Sequence, residues 1–458
     1  MLNAFKLTTI LLSLALLGGS WGLFATIQAR LVAEQQAILA VARGLVYNEQ
    51  FAEAIPHFDE AMGMMIGTDE NLVYELATVL HSAGFFARYR EQILTLIANE
   101  TPPLWQGEIV TMADLYHELA TFDLQQGSPG LAATVRFIRE GLEATGDPRL
   151  FSLHEQYRYI FDTRMGIFDH ATVIQNGAGI TRRNELYGFV NHLGNNLIAP
   201  TFDMSTNFAN NLAVVQDEDS LRVINTANQT QATADFRADS IANFGGVTFA
   251  LRLTGENTYR LGTFSEQQLT YASEQYDFIG WTSEGIRVFR WGDLWALQDF
   301  RDPEIALPFE FLHEGFAVDE LGRVAVNERM FEIRNGRYQM VDLALNPIGP
   351  PFDEARPFFE TGGLAAVRQG NLWGFVNANG EVVIDFTYTN AKSSSENLAP
   401  VLTWDLWGYI TVENFPPQFE SHFGSLVIQP QFTTATQFVN GIAPVQDESG
   451  WFYIALLQ

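Results

Sequence analysis

Eight histidines, His57, His81, His117, His154, His170, His192, His313 and His422, are the first residues to test for chemistry. No two stand three or four residues apart, the separation at which a helix presents two imidazoles to one metal. His117-Glu118 lacks the second histidine of a zinc-protease motif. The segment NGAGITR (176–182) has neither the third glycine of a dinucleotide loop nor the Lys-Ser or Lys-Thr pair of a phosphate loop, so it reads as a turn. QDEDS (216–220) is acidic but lacks the glycine and terminal glutamate of a calcium loop. There is no Gly-x-Ser-x-Gly elbow. With no cysteine in the chain, thiolate nucleophiles, thiolate metal sites and disulfides are excluded. The residues therefore predict no catalytic set, no metal and no cofactor. The alternative rests on the 54 acidic residues. Two carboxylates about 5–9.5 Å apart suffice for glycan cleavage and leave no local motif.

One cluster does suit binding. GWTSEGIRVFRWGDLW (280–295) gathers Trp281, Arg287, Arg290 and Trp291, and aromatic-arginine groups anchor protein or sugar partners. In the competing reading, strand alternation buries Phe289 and Trp295 while the arginines flank a core. Two insertions, 412–424 and 318–336, offer loops where recognition resides.

What must position these residues is a repeat. Tyr187, Leu221, Tyr259, Trp295, Tyr338, Trp373, Trp407 and Trp451 recur at intervals of 34 to 44 residues, with 221 and 259 the faintest copies. In LWGFVN (372–377) large residues alternate about Gly374, which is strand periodicity with room for a neighbouring backbone. Asn379-Gly380 predicts a two-residue hairpin turn. A return strand follows, which in IAPTFD (198–203), IGPPFD (348–353) and IQPQF (428–432) reaches a proline suited to a strand end or edge. NLAVV, GLAAV, NLAPV and GIAPV then mark a third strand per unit.

These motifs resemble the bacterial WG-repeat family over roughly 186–458. The repeat positions are Tyr187, Gly188, Trp295, Tyr338, Trp373, Gly374, Trp407, Gly408 and Trp451. The resemblance implies an all-β array in envelope-associated proteins and supplies no catalytic residues. Such an array hides its edges by closing into a propeller-like ring, with an open β-solenoid as the alternative. The unfinished last copy, GWFYIALLQ (450–458), predicts closure by strands near 171–200.

The expected organisation is multidomain, with a signal anchor or signal peptide (1–29), a helical domain (30–165) and the β-repeat domain (166–458). In the helical part Ile38, Val41, Ala42 and Leu45 line one face, then Phe51, Ala54, Ile55, Phe58 and Ala61 the next. Leu76, Ala77, Gly84, Phe86 and Ile93 form a second copy, with Tyr89 where a small residue is expected, and 124–148 a third that ends at Pro148. The small-large alternation resembles tetratricopeptide repeats, which offer a groove to a peptide or protein. A plain bundle would show the same stripes.

Residues 7–29 carry no charge and as a helix would span about 34 Å, enough to cross a bilayer. Lys6 ahead of them weakly places the remainder outside the cytoplasm, either anchored or, if the segment is a cleaved signal, secreted. The net charge of −28 repels phosphate backbones, so nucleic acid is not an expected partner. That charge suits solubility or a cation-rich environment. The combined expectation is a non-enzymatic, membrane-anchored envelope scaffold that binds protein or polysaccharide.

Overall fold

The computed structural model describes residues 21–457 except 65–68, 218–219, 244–246, 301–312, 321 and 413–422. It divides at Arg158/Tyr159 into a helical unit and a β unit. Residues 7–20 of the expected anchor lie outside the described set. No helix among the described residues is long and apolar enough to cross a membrane.

Among the described residues, seven helices form the first unit: α1 (Trp21–Tyr47), α2 (Phe51–Gly63), α3 (Glu70–Ser82), α4 (Phe86–Asn99), α5 (Met112–Gln126), α6 (Leu131–Thr145) and α7 (Pro148–Tyr157). Their ends follow local chemistry. Asp69 accepts from the backbone N–H groups of Asn71 and Leu72, and Thr111 with Asp114 forms a capping box that starts α5. Gly127 and Gly146 end α5 and α6 at φ +66° and +65°. Pro148, expected to close a third repeat, instead opens α7 at a position where a missing N–H costs nothing.

Leu39, Ala42, Ala54, Ile55, Phe58, Ala61, Leu76, Ala77 and Ile93 join one core. Val41 departs from the predicted stripe and is 51% exposed, the face having rotated by one step to Leu39 and Ala42. Tyr89 is buried despite its size because it has a partner. Its hydroxyl donates to Glu118 at 2.7 Å, and Tyr74 donates to the same carboxylate at 2.9 Å.

The second unit is an eight-bladed β-propeller. Blades 1 to 8 begin at His170, Met204, Ala238, Phe278, Gly315, Glu354, Asn390 and Thr434, and within each the strands pair antiparallel in sequence order. Among the described residues, blades 4 and 5 have three strands and the others four. The last blade takes its fourth strand from Phe161–Phe168, which pairs outside Gly450–Leu456. Closure thus comes from 161–168, not from 171–200, whose strands build blade 1. This strand also moves the start of the β domain ahead of residue 166.

The repeat positions share one register. Tyr187 pairs with Phe202, Leu221 with Ala234, Trp373 with Tyr388, Trp407 with Phe432, and Trp451 with Phe168. Tyr259, Trp295 and Tyr338 make the equivalent bridges to Tyr276, His313 and Phe352. Even the two faint copies mark the third strand of a blade, Leu221 within that of blade 2 and Tyr259 just before that of blade 3. The predicted unit nevertheless straddles two blades: NLAPV is the second strand of blade 7, not the third of the blade before. What the reading missed was the short innermost strand, two residues long in seven blades.

Alternation within each strand faces both neighbours. Ala366 and Phe375 pack toward blade 7, whereas Ala365, Val367 and Val376 pack toward blade 5. Eight such clusters run between successive blades, and the one that joins Phe168, Ile442 and Tyr453 to Ala171, Ile174 and Val190 closes the circle. An open solenoid would leave that last pair of faces unpaired.

Gly374 has the role its spacing suggests. A Cβ there would lie 2.6 Å from the Ile384 carbonyl oxygen, and one added at Gly408 would lie 2.5 Å from the equivalent oxygen of Ile428. Each sits at a bulge between the third and fourth strands. The Asn379-Gly380 turn differs from expectation, since only Gly380 has positive φ. The turn is held instead by the Asn377 side chain, which accepts from the N–H groups of Asn379 and Glu381. Two-residue turns with paired positive φ occur at the inner hairpins, including Asn176-Gly177 and Asn440-Gly441.

Candidate functional site

The innermost strands repeat a short pattern of their own. FDHAT (168–172), FDMST (202–206), YDFIG (276–280), FDEAR (352–356), YTNAK (388–392) and FTTAT (432–436) align an aromatic, a bend residue, two strand residues of which the second is small or apolar, and a fifth position. At that fifth position Thr172, Thr206, Gly280, Arg356 and Lys392 all donate their backbone N–H to the second strand of their own blade. The threonines also turn their hydroxyls to that strand, as where Thr206 accepts from the Val214 N–H and Thr436 donates to the Pro444 carbonyl. Blades 6 and 7 place cations there. Neither has a local reason to be basic in a chain of net charge −28.

Each cation rests on the repeat tryptophan of its own blade. The Arg356 guanidinium lies 4.9 Å from the Trp373 ring centre, and the Lys392 ammonium 6.0 Å from that of Trp407. Trp373 is 4% exposed and Lys392 8%. Arg356 donates to the Asn390 side-chain oxygen at 2.9 Å. Burial pulls its pKa below the usual arginine value, and the nearby carboxylates of Glu320 and Glu354 partly restore it. Lys392 donates to Glu320, which comes from blade 5 and has an exposed side chain. Burial likewise lowers the pKa of His170 in blade 1, with Arg182 acting in the same sense and Glu320 opposing it.

Glu320, Glu354, Arg356 and Lys392 border a cavity of about 370 Å³ that blades 5 to 8 share. Phe316, Tyr338 and Phe359 give it apolar walls, while Ser393 and Gln437 add polar lining. Ser393 accepts from the Ala366 N–H and its carbonyl receives the Gln437 amide, so these two lining residues are held by hydrogen bonds. The three acidic residues of the lining are each matched to a cation: Asp319 with Arg323, Glu320 with Lys392, and Glu354 with Arg368. A cavity with aromatic walls and a few convergent charged groups is a form that small-ligand sites take.

The aromatic-arginine cluster predicted near 280–295 is not brought together. Arg287 is buried between blades 3 and 4, donates to Thr248 and is lowered to about 10 by burial. Arg290, three residues along the strand, faces the other way and lies over Trp295. Trp281 packs between blades 3 and 4, and Trp291 is 68% exposed at the next hairpin. Most of the 412–424 insertion lies outside the described residues. The 318–336 segment contributes Asp319 and Glu320 to the cavity.

Sequence reasoning missed Arg356 and Lys392. The signal was present in the aligned pattern, where two basic residues replace threonine. Lys392 is also the only lysine among the described residues.

Comparison with known proteins agrees on the repeats. No curated protein matches the chain. Among solved structures, the chain is similar to PorZ of Porphyromonas gingivalis, a bacterial surface component of the type-IX secretion system. That likeness has 10% identity and a TM-score of 0.32, and covers 62% of this chain and 42% of that one. Hsv2p of Kluyveromyces lactis is similar at 12% identity and a TM-score of 0.35, over 52% and 86% of the two chains. A eukaryotic initiation factor is similar at 10% identity and a TM-score of 0.41, over 64% and 87%. The family model for the WG containing repeat matches at residues 187–219, 348–373, 373–407 and 421–451, so the propeller carries WG-containing β repeats at four places.

Proposed function

We propose that this chain is a non-enzymatic binding scaffold of the cell envelope, whose propeller receives a partner at the cavity between blades 5 and 8. The observation that carries the reading is the pair Arg356 and Lys392, a half-buried and a buried cation braced on indole rings beside an open cavity with apolar walls. Holding cations in place on a closed ring lowers the ordering cost of binding, which is what a recognition site needs. In this reading the helical unit is a tetratricopeptide-like second binding surface, and residues 7–29 tether the chain with its bulk outside the cytoplasm.

The test is affinity capture from detergent-solubilised envelopes with the full chain and with an Arg356→Gln/Lys392→Gln variant as parallel baits. A protein retained by the first and lost from the second supports the reading. Equal retention by both overturns the assignment of binding to this cavity, and retention of polysaccharide alone would turn the scaffold into a glycan-binding one.

A further inference from the structure

We infer that Glu320 is an internal occupant of an anion site formed by Lys392 and Arg356, and that the ligand which displaces it is a small monocarboxylic acid with an apolar body. This rests on the reading of the cavity as a binding site and names its ligand.

Three observations lead there. First, Glu320 reaches Lys392 from two blades away, so it is not part of the local architecture of either cation. Its side chain is 62% exposed whereas that of Lys392 is 10% exposed. An exposed carboxylate on an inter-strand segment exchanges with solvent readily, whereas the lysine has no way to leave. Truncating the glutamate leaves a buried charge facing the cavity, and such a charge is costly until another anion reaches it.

Second, the lining sets the charge of the ligand. Of the three acidic residues in the lining, Asp319 and Glu354 are engaged by Arg323 and Arg368, which leaves Glu320 as the one paired with a cavity cation. A phosphate, with close to two negative charges, would bring one charge more than the Glu320 carboxylate supplies. A single carboxylate that takes the place of Glu320 leaves the balance unchanged, and the contact already made by Glu320 shows that the geometry accepts a carboxylate.

Third, Phe316, Tyr338 and Phe359 give the rest of the ligand somewhere to go. A volume of about 370 Å³ is enough for an aromatic or short aliphatic acid.

The probe is phenylacetate, titrated by calorimetry into the full chain and into Glu320→Gln, Lys392→Gln and Arg356→Gln, with inorganic phosphate and benzyl alcohol as comparisons. The expected result is binding to the wild type that tightens at least tenfold in Glu320→Gln and is lost in Lys392→Gln and Arg356→Gln, with neither comparison compound bound. A gain in affinity cannot arise from a failure to fold. If Glu320→Gln binds phenylacetate no more tightly than the wild type, Glu320 is a strut and the inference falls. If phosphate binds Glu320→Gln as tightly as phenylacetate, the carboxylate assignment falls. Should phenylacetate fail while Arg356→Gln/Lys392→Gln still abolishes partner capture, only the ligand class is wrong and the scaffold reading stands.

Discussion

Trp451, in the last strand of the chain, pairs with Phe168, from the strand that opens the propeller. The pairing joins the two ends of the domain, so the last blade exists only when the ring is complete. Its inner neighbours Tyr453 and Ile442 pack against Ala171 and Ile174 of blade 1, which makes closure a matter of core burial as well as backbone pairing.

Removing the closing strand should therefore be costly. A chain that lacks residues 159–168 leaves Gly450–Leu456 as an open edge. It is expected to melt at a lower temperature and to associate on size-exclusion chromatography. A monomer with an unchanged melting point would show that the ring is closed by other means.

The glycines of the repeat are positions of close approach, not of unusual φ. Gly374→Ala should lose about 1–3 kcal/mol in denaturant unfolding, because the added methyl meets the Ile384 carbonyl backbone, which has no freedom to move. Gly166→Ala, where the nearest atom lies 3.9 Å away, should be close to neutral. Equal effects at the two sites would remove the steric explanation.

Trp373 supports both the core and a cation. Trp373→Ala should destabilise the propeller by about 3–5 kcal/mol, the range for a large buried ring. It should also free Arg356, so any ligand of the cavity binds more weakly at temperatures where the variant is still folded. An unchanged unfolding midpoint would mean that the ring is a surface anchor.

The helical unit should carry an acid-sensitive cap. Arg149 holds the Asp147 carboxylate down to about 2, with help from the Arg149 and Leu150 N–H groups that it caps at the start of α7. Because the folded value lies below the ordinary 3.8, this cap stabilises the fold above pH 4 and its contribution fades as pH falls toward 2. Asp147→Asn should be less stable than the wild type at neutral pH, and the difference should vanish near pH 2, as read by helical circular dichroism. A difference that does not depend on pH would assign the effect to packing.

The degree to which this molecule was legible in its sequence varies with the range of the forces involved. The repeat spacing located every blade because each copy sets a large residue of the third strand opposite the fourth, and at Gly188, Gly374 and Gly408 a glycine follows it at a bulge. The phase of the unit was not legible, since a two-residue inner strand such as Glu354–Ala355 has too few residues to show periodicity. Closure was expected from the unfinished copy at 450–458, but its partner was sought on the wrong side of Phe168. Val41 and Leu39 differ by two residues, and an apolar face that broad does not fix which of them turns inward. The cavity was illegible for a deeper reason. Glu320, Arg356 and Lys392 meet only because three blades converge, and the dense local cluster at 280–295 drew attention to residues that the strand sends to opposite faces.

The most direct test of the binding account is amide hydrogen exchange on the full chain with and without its captured partner. Protection concentrated at residues 317–320, 354–357 and 390–393, and absent in Arg356→Gln/Lys392→Gln, is the predicted footprint. Protection elsewhere on the propeller or confined to the helical unit, with these segments unchanged, would contradict it.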